Sequence, residues 1–124
     1  MQISNLRSRI VSIANTQEYN TVIDVLQKYL EGSNGNVELL KEAFHDNAII
    51  NGRPIQALYD AVERKGQTNS TSRVDYLDIV GNVASARTVI ENWHGYNFVE
   101  YQHLVKDKNG WKITSKTYTE IKLS

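Results

Sequence analysis

The sequence predicts an α+β fold, a cone-like curved antiparallel sheet packed on three N-terminal helices. Three observations predict it. From Val74 to Lys122 the chain reads as four consecutive strands joined by tight turns. Ahead of them lie segments whose apolar residues recur at helical spacing, with one short Ala-Ile-Ile strand between. The last strand is announced by Lys108-Asn109-Gly110 and led by Trp111 and Ile113.

The helices follow in order. Asn15-Thr16 offers a cap, with Glu18 placed for a capping-box-like contact. Tyr19, Val22, Ile23, Leu26, Tyr29 and Leu30 then fall on one helical face. Gly32-Ser33-Asn34-Gly35 ends that helix, and Asn36 caps a second, shorter one with Val37, Leu40 and Phe44 on its inner face. His45 is expected to end it, where a histidine suits the helix C-terminus. Ala48-Ile49-Ile50-Asn51 reads as a strand, Gly52 as a turn, and Pro54 as the first turn of a third helix. Ile55, Leu58, Tyr59 and Val62 continue that helix, and Gly66 closes it.

Val80-Gly81-Asn82-Val83 and Trp93-His94-Gly95-Tyr96 read as two-residue hairpins. Extended without interruption, they set Ile79 opposite Ala84, Leu77 opposite Ala86 and Asp75 opposite Thr88. The second hairpin sets Ala86 opposite His103, Thr88 opposite Tyr101 and Ile90 opposite Val99. The expected inner face carries Leu77, Ile79, Ala84, Ala86, Thr88, Ile90, Val99, Tyr101, His103 and Val105. The outer face carries Val74, Tyr76, Val80, Val83, Arg87, Val89, Trp93, Tyr96, Phe98, Glu100, Gln102 and Leu104. A slip of one residue would exchange the two sets. The outer set is largely apolar, which marks an interface. It predicts a homodimer through Tyr76, Val89, Trp93, Tyr96, Phe98 and Gln102, with Arg87 and Glu100 as an interfacial pair.

Bulk properties narrow the function. The 124 residues suit one domain, read as 16–124 with residues 1–15 as an N-terminal extension. Lys plus Arg equal Asp plus Glu at 14 each, which argues against a dedicated nucleic-acid binder. The chain has no cysteine, so disulfides and thiol chemistry are excluded. No signal-like or membrane-length apolar run occurs, and a cytoplasmic setting without membrane contact is expected. The three histidines lack metal-ligand spacing, and no Gly-rich phosphate loop or Gly-x-Ser-x-Gly elbow is present. No metal and no cofactor are therefore expected.

One constellation on the expected inner face carries chemistry. Asp75, Thr88 and Tyr101 share a cross-strand row, with His103 beside Tyr101. A desolvated Asp75 would be raised toward a useful base, and Tyr101 or His103 could donate to an oxyanion. Tyr59, Thr88, Tyr101, His103 and Trp111 are the expected ligand-binding residues, for a small apolar or aromatic molecule. Three readings remain open: a small-molecule-binding domain, a cofactor-independent acid–base enzyme of isomerase or dehydratase type using Asp75, Tyr101 and His103, and a dimeric protein-interaction module.

The segments Tyr29-Leu30-Glu31-Gly32, Glu38 through Ala48, Asn51-Gly52-Arg53-Pro54, Ile79 through Ala86, Phe98 through Lys106 and Gly110-Trp111-Lys112-Ile113 occur in a familiar order. Over residues 16–120 the chain resembles the nuclear-transport-factor-2-like superfamily, with its cystatin-like fold. Within it, the chain is most similar to SnoaL-like and lumazine-binding-like small proteins. The resemblance implies a cone-shaped pocket between helices and sheet, and frequent dimers. The superfold hosts isomerases, dehydratases, cyclases and transport factors, so it fixes no reaction.

Overall fold

The computed structural model describes residues 13–124. Ile3, Leu6, Ile10 and Ile13 recur at a weak helical spacing that reads as a short helix or an extended arm; the first three lie outside the described residues, and Ile13 forms an isolated antiparallel bridge with Val80. Helix α1 (Thr16–Gly32) begins where the Asn15 Oδ1 accepts the Glu18 N–H at 2.8 Å, satisfying a donor that helix geometry leaves unpaired. Glu18 does not close a capping box. Its carboxylate accepts from Trp111 Nε1 at 2.8 Å and from Lys106 Nζ at 2.9 Å, so the start of α1 is moored to two strands. Val22, Val25, Leu26, Tyr29 and Leu30 form its buried face. Gly32 meets the next helix closely, since a Cβ there would stand 2.8 Å from the Leu40 nitrogen.

Helix α2 (Val37–Ala43) is capped by Asn36, whose Oδ1 accepts the Leu39 N–H at 3.1 Å. The chain passes from it straight into strand β1 (Phe44–Ile50). His45 therefore sits in a strand and not at a helix end, its Nδ1 accepting the Asn47 N–H at 3.0 Å. Asn51 and Gly52, at φ 46 and 78, turn the chain into the two-residue strand β2 (Arg53–Pro54). Pro54 pairs with Ile49 instead of opening the third helix; lacking an N–H, it suits this sheet edge. Helix α3 (Gln56–Lys65) follows, burying Tyr59 and Val62.

Strands β3 (Thr71–Val80), β4 (Val83–Trp93), β5 (Tyr96–Asp107) and β6 (Gly110–Glu120) complete a curved, open six-stranded sheet. Its order is β2-β1-β6-β5-β4-β3, with β1 parallel to β6 and every other pair antiparallel. The inner face packs Ile79, Ala84, Ala86, Ile90, Leu104, Trp111 and Ile113 against the helices. This is the α+β architecture the sequence predicts.

The register departs from the sequence reading at two bulges. Both hairpin turns fall where predicted, but β4 carries an extra residue between Ile90 and Trp93, at Asn92 (φ 62), whose N–H bonds Asn97 Oδ1 at 2.8 Å. Beyond it Ala86 pairs with Gln102, Thr88 with Glu100 and Ile90 with Phe98. Every side chain of β5 thereby exchanges faces. Glu100, Gln102 and Leu104 point inward, while Tyr101 and His103 are exposed on the side away from the helices. A second bulge at Asp75 sets Val74, not Asp75, opposite Thr88. A further irregularity, beside Thr114, turns Trp111 and Ile113 inward ahead of it and Lys116 after it.

The Glu18 moor gives a pH signature. Hydrogen bonds from Lys106 and Trp111 hold its carboxyl below the usual range. The native state then binds this proton less readily than the unfolded chain. Its stabilising contribution is complete above the ordinary value near 4.5 and is lost as pH falls through the lower folded value. Thermal melts should show Glu18→Gln less stable than wild type at neutral pH, with the gap shrinking in acid. A gap that widened on acidification would contradict this sign.

Candidate functional site

A cavity of about 650 Å³ opens between α1, α3 and the inner face of the sheet. The hairpin between β1 and β2 forms one wall. Asn51 there acts as a backbone surrogate: its Oδ1 accepts the Tyr118 N–H at 2.9 Å and its Nδ2 donates to the Tyr118 carbonyl at 3.2 Å. That bond fixes the end of β6 and sets Tyr118 in the wall. Ala57, Leu58 and Ala61 of α3 form the second wall, small enough to leave the space open. Ile90, Trp93 and Phe98 form the third. Trp93 is held by its indole N–H, which donates to the Ser33 carbonyl at the end of α1 at 2.7 Å.

The floor is polar and almost fully buried. Glu100 of β5 and Lys116 of β6, each 3% exposed at the side chain, stand 3.3 Å apart. The Tyr29 hydroxyl of α1 donates to Glu100 Oε2 at 2.7 Å and accepts from Lys116 Nζ at 2.7 Å. Thr88 Oγ1 donates to Glu100 Oε1 at 3.0 Å and accepts from Gln102 Nε2 at 3.0 Å. The Lys116 ammonium also lies 4.6 Å from the Tyr29 ring centre and 5.1 Å from that of Tyr118. Both charges thus have the partners that make burial tolerable.

These contacts set the protonation tendencies. Desolvation raises the Tyr29 phenol well above its ordinary value, and the neighbouring Glu100 charge adds to it. Tyr29 therefore remains a proton donor. Desolvation lowers Lys116, while attraction to Glu100 opposes the change. An ammonium has three N–H groups. Two of those on Lys116 have acceptors among the described residues, which leaves one at the cavity floor. The cluster can present a hydrogen-bond donor to a ligand acceptor.

The structure redistributes the sequence-predicted residues. Asp75 is exposed on its bulge, hydrogen-bonded by Arg73 Nε at 2.6 Å. That guanidinium holds its carboxyl below the usual range, the opposite of a raised base. Tyr101, half exposed, and His103 lie on the outer face, so the expected Asp75, Tyr101 and His103 constellation does not assemble in the cavity. Thr88 is in place, but as a support for Glu100. Tyr59 is buried edge-on to Phe44 at 6.4 Å, and Trp111 is a core residue bonded to Glu18; neither lines the cavity.

Of the expected interface residues, Trp93 and Phe98 line the cavity, and Gln102 and Val89 are buried. Tyr76 remains on the outer face, exposed, and Tyr96 is exposed beside the second hairpin turn. Arg87 faces Tyr101 and makes no pair with Glu100. His94 lies in the second hairpin turn, where a solvated side chain is expected, yet it has its Nε2 buried and its ring edge-on to Trp93 at 4.8 Å. Sequence reasoning missed Tyr29, Glu100 and Lys116 as site residues. The available signal was a glutamate and a lysine on neighbouring strands, each flanked by residues that read as strand.

Among the described residues no group of three or more His, Asp or Glu side chains is placed to hold a metal ion. No described helix is long and apolar enough to cross a membrane.

Comparison with known proteins adds an independent line. A family model described as "Putative lumazine-binding" matches residues 17–119. Among solved structures, an NTF2-like protein of unknown function from Shewanella baltica superimposes with a TM-score of 0.83 at 28% identity, covering 90% of this chain and 100% of that one. One from Methylobacillus flagellatus gives 0.82 at 30% identity, covering 90% and 99%. One from Silicibacter pomeroyi gives 0.78 at 18% identity, covering 87% and 100%, a likeness of fold. No curated protein matches the chain.

The buried pair makes a thermodynamic prediction. Lys116→Met leaves Glu100 buried without its counter-charge and should cost about 3–5 kcal/mol in denaturant unfolding. The double variant Lys116→Met/Glu100→Gln should cost less than the sum of the two single changes, by at least about 1 kcal/mol. Strict additivity would mean that the two groups do not interact.

Proposed function

This chain belongs to the family described as "Putative lumazine-binding", within the nuclear-transport-factor-2-like superfamily, and we propose that it binds a small organic molecule in the cavity between α3 and the inner face of the sheet. The observation that carries this reading is the cavity's construction. Its volume of about 650 Å³ lies in the range of small-molecule sites, roughly 300–1,000 Å³. Much of its wall is apolar and aromatic, and a buried polar cluster of Tyr29, Glu100 and Lys116 forms its floor. Such a site takes a flat apolar body against Trp93, Phe98 and Tyr118, with an acceptor atom toward Lys116. The family description supports a bicyclic aromatic ligand as one member of that class.

Trp93 reports occupancy. Titration with lumazine or with naphthalenemethanol should quench its fluorescence saturably. Ala61→Phe fills the cavity from α3 and should abolish the response with little change in Tm. Equal quenching in both proteins would place binding elsewhere and sink the reading.

One observation favours self-association as a second property. Tyr76, Val80, Val83 and Tyr101 are each about half exposed on the outer face. We propose that a second copy of the chain covers them. Sedimentation should give a dimer for wild type and a monomer for Tyr101→Lys/Val83→Lys. A wild-type monomer at high concentration would end this proposal.

A further inference from the structure

The chain is electrically neutral overall, with 14 cationic and 14 acidic side chains, yet its cavity is not. Arg53, Arg64, Lys65 and Lys116 line it, against Glu100 as the sole carboxylate among the lining residues. Lys116 and Glu100 offset each other at the floor. Arg53, Arg64 and Lys65 remain, all exposed and therefore at the mouth. Among the described residues none of the three forms an ion pair. The end of a helix favours cations, which suits Arg64 and Lys65 in the last turn of α3. Arg53 stands on β2 and is outside that influence. Two separate elements thus bring unpaired positive charge to one opening.

The aromatic wall lies next to this charge. The Lys65 ammonium sits 5.7 Å from the Trp93 ring centre and 5.8 Å from that of Tyr96. A cleft lined by one sign of charge over low-dielectric walls concentrates ligands of the other sign. A guanidinium also offers paired N–H donors matched to a carboxylate or phosphate. We infer that the ligand is an aromatic oxyanion, with its planar body in the cavity and a carboxylate or phosphate group at the mouth among Arg53, Arg64 and Lys65. This rests on the ligand-binding reading and narrows it. It also assigns the two ends of the site separate work: apolar contact holds the body, and the mouth selects for charge.

The test uses the full chain and four probes sharing one ring system: naphthoate, naphthyl phosphate, naphthalenesulfonate and neutral naphthalenemethanol. Binding is read by Trp93 fluorescence and by calorimetry. At low salt at least one anion should bind about tenfold or more tighter than the neutral probe, as expected for a few partly exposed charge contacts. The preference should shrink as ionic strength rises. That preference, the ratio of anionic to neutral affinity, should also fall severalfold in Arg53→Gln/Arg64→Gln/Lys65→Gln. Comparing carboxylate, phosphate and sulfonate identifies the acidic group. Equal binding of neutral and anionic probes would overturn the inference and leave the cavity as a binding site. An anion preference unchanged in the triple variant would overturn it as well. No binding of any probe, in wild type and Ala61→Phe alike, would overturn both this inference and the reading beneath it.

Discussion

The contact between Glu100, Lys116 and Tyr29 joins three elements that are distant in sequence. It brings the C-terminal turn of α1 onto neighbouring strands β5 and β6. A charge moved into a protein interior costs several kcal/mol unless it is paired and its remaining hydrogen-bonding capacity is met. Here both charges are 3% exposed, and each has a partner at 3.3 Å or less. The cost of separating them makes the register of β5 and β6 an electrostatic matter as much as an apolar one. If either strand slipped by one residue, the pair would be split across the sheet. The same requirement holds α1 at the distance that leaves a cavity between it and α3.

The turns and caps of this fold are local, and they are legible in the chain itself. Asn15, Asn36 and Gly66 bound helices where their chemistry says they should, and both hairpins turn at the expected pairs. Faces of strands are a different matter. Carried on from the hairpin without a bulge, the pairing points Val99, Tyr101, His103 and Val105 of β5 inward and Phe98, Glu100, Gln102 and Leu104 outward, which is the wrong set. Two things reverse it. The bulge at Asn92 adds one residue on β4 just before a correctly located turn, and Glu100 finds Lys116, Tyr29 and Thr88 only on the inside. Asn92 belongs to a residue type that tolerates positive φ, but a single such residue inside an apolar run does not announce a bulge. The partners of Glu100 lie 71, 12 and 16 residues away, beyond the reach of local pattern.

The bulges also explain why the site is polar at its floor and apolar on its walls. On β6, Trp111 and Ile113 fill the core, and the irregularity beside Thr114 restores inward orientation at Lys116. On β4, Ala84, Ala86, Thr88 and Ile90 face inward, and the extra residue at Asn92 then brings Trp93 to the cavity. On β3 the bulge at Asp75 sends a carboxylate to solvent beside Arg73, removing it from the interior. These residue-level offsets decide which side chains line the cavity.

The proposed binding face of the sheet is the one bearing Glu100, Lys116, Phe98 and Trp93, and not the one bearing Tyr101 and His103. The two tryptophans make it directly measurable, since Trp93 lines the cavity and Trp111 does not. In a proton–nitrogen NMR spectrum each indole gives its own signal. Titration with naphthoate should move the Trp93 indole and the Lys116 side-chain signals, leaving those of Tyr101 and His103 in place. Movement confined to Tyr101 and His103 would contradict the claim and return the site to the opposite face.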